Sequence, residues 1–242
     1  MEKYIILPTY NEKENLENVV KEIFEQNIED LGIVIVDDNS PDGTGQIADK
    51  LARDDFRITV IHRSNKMGLG TAYVQGFKKV MADSEAQYIF EMDADFSHSP
   101  KYLPDFLEAI KDSDLVLGSR YIMGGGVSNW GLFRRLVSLW ANFLVRFILG
   151  VKIKDLTGGY KCFRRKVLED IDLDNVESNG YNFQIEVTYK VYKHCFRIKE
   201  IPIIFEERRL GRSKFSLNIA LESFRKVLKL RFTPTPKKHN II

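Results

Sequence analysis

The sequence predicts an α/β protein with a mostly parallel central sheet covered by helices on both faces. Three observations carry this. Short β-branched or apolar runs alternate with amphipathic helical stretches through the first half. The alternation has the spacing of strand–helix–strand units, which build parallel sheets. And 242 residues, 44% hydrophobic and 12% aromatic, suffice to bury a real core.

The strand runs are "YIIL" (4–7), "GIVIV" (32–36), "RITVI" (57–61), "QYIFEM" (87–92) and "DLVLG" (114–118). Between the first two, "NEKENLENVVKEIFEQ" (11–26) places Leu16, Val19, Val20, Ile23 and Phe24 on one helical face. In parallel sheets ligands bind beyond the carboxyl ends of the strands. Here those ends read "PTYNE", "VDDNSPDGT" and "MDADFSH", so acid-bearing loops gather along one edge. Turn formation or capping accounts for Asp42 and Asp55. Asp38, Asp93 and Asp95 are the candidate ligand-binding acids. In an extended Asp-x-Asp segment both side chains point the same way, and both can then reach one hard cation such as Mg²⁺ or Mn²⁺.

Charge divides the chain. Residues 1–119 carry 12 Lys and Arg against 23 Asp and Glu, and residues 120–242 carry 24 against 11, although the whole chain is only +2. The segment 120–154 holds Arg120, Arg134, Arg135, Arg146, Lys152 and Lys154 and no acid. Such asymmetry points to two different partners.

Two helical segments of the second half are amphipathic. In "NWGLFRRLVSLWANFLVRFILG" (129–150), Arg134, Ser138, Asn142 and Arg146 recur every fourth residue and form one polar stripe on an otherwise apolar helix. A core helix with a snorkelling edge fits that pattern as well as an interfacial helix does. "LNIALESFRKVLKLRF" (217–232) sets Leu217, Leu221, Phe224 and Leu228 on one face and Arg225, Lys226 and Lys229 on another. That combination suits a membrane surface or a protein partner. The first apolar run is too short for a signal peptide, and no stretch is long enough to span a bilayer. Cys162 and Cys195 have neither metal-ligand spacing nor a paired framework, and read as reduced, buried thiols of a cytosolic protein.

Two ligand-binding folds are excluded. Receiver domains that accept phosphate are about half this length, and a lysine follows their last strand where this chain has "GSRY". A dinucleotide fold would put its glycine-rich turn after the first strand, where this chain has "PTYNE".

The ordered set "PTYNE", "VDDNSPDGTG", "MGLGTAYVQGF", "MDADFSHSP", "GSRY", "NWGLFRRLVS", "DLTGGYKCFRR" and "ERRLGRSKF" resembles the dolichol-phosphate mannose synthase group of the family 2 inverting glycosyltransferases, from about residue 4 to 216. The resemblance implies a GT-A fold over 1–216, with a nucleotide-sugar and metal half (1–119) and an acceptor half (120–216), followed by a basic amphipathic helix and tail (217–242). It implies transfer of a hexose, mannose from GDP-mannose before other sugars, to a polyprenyl phosphate. A UDP-sugar-dependent glucosyltransferase and a non-catalytic nucleotide-sugar-binding subunit are the alternatives.

By the same resemblance, Pro8, Tyr10, Glu12, Val36 and Asp38 line the nucleotide pocket, and Asp93, Ala94 and Asp95 hold the diphosphate region. Asp93, Asp95 and Ser97 are the ligands of Mg²⁺ or Mn²⁺; some relatives carry a glutamine where this chain has Ser97. Arg120, Arg208 and Lys214 match positions that contact the donor, and Arg134 and Ser138 match positions at the acceptor phosphate. Those six, Asp95 included, are the candidate catalytic residues. The implied partners are a nucleotide sugar, a polyprenyl phosphate, a membrane surface and a small membrane subunit, with no nucleic acid. The implied location is peripheral, at the cytoplasmic face of a membrane, since the chain stops at Ile242 without the C-terminal transmembrane helices that many members carry.

Overall fold

In the computed structural model, which describes residues 1–206 and 217–233, a seven-stranded sheet runs in the order β3-β2-β1-β4-β7-β5-β8. Its strands are β1 (Lys3–Thr9), β2 (Leu31–Asp37), β3 (Ile58–His62), β4 (Tyr88–Glu91), β5 (Leu115–Ser119), β7 (Lys161–Arg164) and β8 (Ile198–Pro202). β7 alone runs antiparallel, wedged between β4 and β5. A two-stranded parallel ribbon pairs β6 (Gly126–Val127) with β9 (Ile204–Phe205).

All five expected strands form. β2 is buried from end to end, as a two-side-covered parallel strand must be. The sheet separates two apolar clusters, one around Tyr73, Phe77 and Phe163, the other around Leu16, Phe90 and Phe106. The helices are α1 (Leu16–Phe24), α2 (Thr44–Asp54), α3 (Leu69–Asp83), α4 (Leu103–Ala109), α5 (Leu132–Leu149), α6 (Arg165–Asp170), α7 (Tyr181–Lys193) and α8 (Leu217–Phe232).

Several expectations change. α1 begins five residues later than its pattern does, because Asn11 takes a left-handed φ of 61° and residues 11–15 form a polar turn at the end of β1. Cys162 is buried but Cys195 is exposed, in a left-handed turn after α7 (φ 60°). α8 forms where expected with a rotated contact face: Val227 is buried and Leu230 packs beside it, whereas Phe224 points outward. Among the described residues, no helix is long and apolar enough to cross a membrane.

The most consequential feature is α5. Its polar stripe faces the protein, with Asn142 buried and Arg134, Ser138 and Arg146 half-buried. Its large apolar residues face out: Phe133 is 82% exposed, Phe147 77% and Trp140 69%. The helix is amphipathic in reverse of the usual globular arrangement. Internal hydrogen bonds hold the inward stripe: Asn142 donates to Thr157 Oγ1 (3.0 Å) and accepts the Leu156 N–H (3.0 Å), and Ser138 shares a 2.6 Å bond with the Tyr121 hydroxyl.

Candidate active site

The parallel strands β1, β2, β4 and β5 end on one edge, and the acid-bearing loops emerge there. Asp37 closes β2 as a structural acid: it accepts from Thr9 Oγ1 at 3.1 Å, the Ser40 hydroxyl and the Ser40 N–H. Asp38, next along, is buried and pairs with Arg63 Nη1 at 2.6 Å, while its other oxygen accepts the Gly68 N–H at 3.0 Å. Gly68 has φ +98°, a conformation that glycine supplies without strain, and it turns its amide toward Asp38 at the start of α3.

Pro8, Tyr10 and Glu12 are half-buried around the same edge. Lys66 lies over the Tyr10 ring with its Nζ 3.6 Å from the centroid, and Glu12 accepts from Asn15 Nδ2 at 2.8 Å. Val36 is fully buried in the apolar core, so its side chain contributes to the wall of the sheet and not to an open pocket.

Beyond β4 the chain bends. The Asp-x-Asp segment is therefore not the extended pair expected from the sequence: Asp93 stays partly exposed, whereas Ala94 and Asp95 are buried and Phe96 takes φ +63°. Asp95 Oδ1 accepts the Ser97 N–H at 3.0 Å, which tightens the bend. Asp93 is held at two points. The Tyr73 hydroxyl donates to its Oδ1 (2.9 Å), and its backbone N–H donates to His98 Nδ1 (3.0 Å). Tyr73 is wholly buried and stacked on Phe183, and burial beside Asp93 pushes its own pKa well up, so it remains a donor.

Under this bend lies a buried pair, Glu91 and Lys161, 3.2 Å apart, with Lys161 also bonded to Gln184 Oε1. Burial pushes the Glu91 carboxyl up to about 7, against the pull of Lys161. Gly159 runs close above: a Cβ there would lie 3.2 Å from His98 and 3.3 Å from Gln184.

Among the described residues, no three His, Cys, Asp or Glu side chains converge as a metal cluster. The donor set at the bend still suits a hard cation of the Mg²⁺ class, which takes one or two carboxylates and completes its shell with water and substrate phosphate. Asp93 and Asp95 could supply those carboxylates, and Ser97 Oγ, buried and without a hydrogen bond among the described residues, could add a neutral oxygen.

The bend connects to the basic half through aromatic rings. His98 stacks on Tyr160 at 5.0 Å and meets Phe205 edge-on at 5.8 Å; Phe205 meets Trp130 at 5.7 Å; and Arg134 lies over Trp130 at 4.1 Å. Arg120 sits beside this row, buried. Its Nε and Nη2 each donate to Asp155 at 2.7 Å, and Nη2 also reaches Thr157 at 2.7 Å. That edge of the guanidinium is therefore committed to Asp155. Burial alone would lower the Arg120 pKa, but Asp155 outweighs it and raises it. Burial likewise raises the Asp155 pKa, and Arg120 reverses this to a net lowering. Arg208 and Lys214 lie outside the described residues.

Sequence reasoning named Asp38, Asp93, Asp95, Arg120, Arg134 and Ser138 as candidates and missed the residues that hold three of them: Arg63 on Asp38, Tyr73 and His98 on Asp93, and Asp155 and Thr157 on Arg120. His98 stood inside the quoted "DADFSH" motif and Asp155 inside "DLTGG", where each could have been singled out. Nothing local marks Arg63 or Tyr73, because their partners are 25 and 20 residues away in the chain.

Residues 4–172 match the family described as "Glycosyl transferase family 2". The polyprenol monophosphomannose synthase of Mycolicibacterium smegmatis (strain ATCC 700084 / mc(2)155) is 46% identical over 225 residues, which span 92% of this chain and 84% of that protein. The undecaprenyl-phosphate mannosyltransferase of Micrococcus luteus is 42% identical over 218 residues, 90% of this chain and 89% of that protein. Among solved structures, glucosyl-3-phosphoglycerate synthase from Mycobacterium tuberculosis in complex with UDP superposes with a TM-score of 0.68 at 17% identity, over 96% of this chain and 80% of the other. The mannosyltransferase PcManGT from Pyrobaculum calidifontis, in complex with GDP-Man and Mn²⁺, gives 0.66 at 18% identity, over 97% and 66%. At such identities the structural likeness concerns the fold, which is GT-A.

Proposed function

The chain belongs to glycosyl transferase family 2, and from that premise we propose that it is a mannosyltransferase carrying mannose from GDP-mannose to a polyprenyl phosphate, with inversion at the anomeric carbon. The observation that carries this reading is the meeting, through the His98–Phe205–Trp130 row, of a carboxylate bend suited to a nucleotide sugar with an arginine on a helix whose apolar side faces out. The names of the two curated relatives support both the sugar and the class of acceptor.

The nucleotide lies along the strand ends, with Pro8, Tyr10 and Glu12 around it and Val36 behind. Asp38 is kept in place for it by Arg63 and Gly68. Ala94 and the flanking Asp93 and Asp95 meet the diphosphate, and these two carboxylates, with Ser97, hold Mg²⁺ or Mn²⁺. When bound, such a cation supplies Lewis-acid neutralisation of the leaving nucleoside diphosphate. Tyr73 and His98 fix the orientation of Asp93.

The acceptor needs no general base, because a phosphate monoester has a second pKa near ~6 and is already a dianion at neutral pH. It needs cations to bring it beside a sugar diphosphate of the same sign. Arg134 and Ser138 do this from α5, and Arg guanidinium matches phosphate geometry in two-point contact. Arg208 and Lys214 serve the donor side on the strength of their motif alone. Arg120, tied to Asp155, orients the wall between donor and acceptor.

The outward apolar face of α5 and the basic residues of α8 rest on the membrane surface that contains the acceptor, at its cytoplasmic face. A small membrane subunit is a further partner. Residues 1–216 form the catalytic domain and 217–242 the attachment segment.

The test is turnover. Purified chain, Mn²⁺, GDP-mannose and undecaprenyl phosphate in detergent should give a mannolipid of β configuration from the α-linked donor. Preference for UDP-glucose, or donor binding without any transfer, would overturn the reading.

A further inference from the structure

Along one flank of α5, between the helix and the residues Tyr121 and Lys154, lies a concavity of about 410 Å³ walled by Leu136, Leu139, Trp140 and Phe143, with Tyr121, Asn142, Arg146 and Lys154 completing its lining. Arg146 lies in the last turn of the helix. Its Nε is buried without a hydrogen bond, and its side chain makes no ion pair among the described residues. A guanidinium nitrogen taken out of water with no acceptor is costly unless an anion arrives.

The neighbourhood is positive. Lys152 and Lys154 follow the helix directly, and Arg231 from α8 reaches the Leu149 carbonyl at 3.4 Å. The acids facing this end are committed elsewhere: Glu200 accepts the Lys154 and Asp155 backbone N–H groups, Asp155 holds Arg120, and Glu177 holds Lys229. The carbonyl end of a helix weakly favours a nearby cation. That accounts for one such cation, and four gather here.

We propose that this concavity binds an anionic phospholipid of the bilayer, its phosphodiester against Arg146 and Lys154 and an acyl chain along Leu139, Trp140 and Phe143. The anion-binding end is separate from Arg134, although Tyr121, whose hydroxyl bonds Ser138, also lines the concavity. Arg146 is twelve residues beyond Arg134, roughly 18 Å along the helix axis, too far for one phosphate to bridge. The proposal rests on the reading of α5 as the membrane-facing helix and deepens it, from general surface attraction to a defined headgroup pocket.

The experiment is sedimentation of the full chain with phosphatidylcholine vesicles, with and without phosphatidylglycerol, at one salt concentration. Each basic residue at an anionic surface contributes about 1 kcal/mol, so losing two should lower the phosphatidylglycerol preference roughly tenfold or more. The Arg146→Gln/Lys154→Gln double variant should lose that preference, retain phosphatidylcholine binding, and keep the KM for a short-chain polyprenyl phosphate in detergent. Arg146→Lys should retain the preference. A charge-matched Lys152→Gln/Arg225→Gln variant should lose much less. Equal loss in both double variants would reduce the effect to diffuse attraction and overturn the site. So would a raised polyprenyl phosphate KM, which would hand the concavity to the acceptor. Absence of any transfer by the wild-type chain would count against the catalytic reading and leave the vesicle comparison standing.

Discussion

The two halves of this molecule use the same device, an amphipathic helix beside a polar site, in opposite senses. In the first half α1 turns Leu16, Val19, Val20 and Ile23 inward and leaves the acids of the strand-end loops to the surface edge. In the second half α5 turns Ser138 and Asn142 inward, where Tyr121, Leu156 and Thr157 satisfy them, and sends Phe133, Trp140 and Phe147 outward. An apolar face is stable against whatever is less polar than water, and that can be the sheet or a bilayer. The comparison teaches that helical periodicity fixes the width of the apolar face while its direction is set by the partners available to the polar one.

The largest expected effect breaks the acidic edge. Asp95→Asn should abolish transfer while the protein stays folded, and chelation of divalent cations should have the same consequence. Turnover at near wild-type rate, or loss of the folded state by circular dichroism, would remove Asp95 from the site.

Next comes the seam between the halves. Asp155→Asn leaves Arg120 buried without its counter-charge, which should cost about 3 to 5 kcal/mol in denaturant unfolding. The wild-type pH dependence follows from the same pair. The folded Asp155 pKa is held below its usual value, so its contribution is complete above about pH 4, the unfolded carboxylate value, and is lost as pH falls through the folded value. Unfolding midpoints that stay flat below pH 4 in wild type, or a variant as stable as wild type, would contradict a structural ion pair here.

The acceptor side should respond separately. Arg134→Ala removes a charge-assisted phosphate contact worth about 1.5 to 3 kcal/mol, so kcat/KM for polyprenyl phosphate should fall on the order of tenfold or more with the GDP-mannose Kd little changed. Equal weakening of the donor would erase the distinction between the halves.

A smaller effect belongs to Tyr73→Phe. It deletes one buried hydrogen bond to Asp93, worth about 1 kcal/mol, so Mn²⁺ affinity measured by titration should fall roughly fivefold. Unchanged Mn²⁺ affinity would leave Tyr73 a core residue only.

Much of the first half was legible because its chemistry is local. Each strand is a compact β-branched run, and each acidic loop follows its strand directly, so Asp38, Asp93 and Asp95 could be placed on one edge from order alone. The bend that buries Asp95 was not legible, since it depends on the left-handed Phe96 and on His98 accepting the Asp93 N–H. Nor were β7 and β8, short strands whose pairing is set by neighbours far away in the chain. In the second half the four-residue polar repeat of α5 was plain, while its inward direction rests on Thr157 and Tyr121, which no window around the helix contains. The rotated face of α8 has the same origin: Val227 and not Phe224 meets the core because α8 packs between α5 and α7.

The outward direction of the α5 apolar face can be read from a paired stability and vesicle-binding measurement on Phe143→Glu/Phe147→Glu. Both side chains lie on the surface of the protein. If the face points outward, the unfolding free energy stays within about 1 kcal/mol of wild type, as surface substitutions usually give, while vesicle sedimentation is lost. A loss of several kcal/mol, the magnitude expected for disrupting a buried core, with vesicle binding unchanged would mean that this face packs against protein, and would contradict the outward direction.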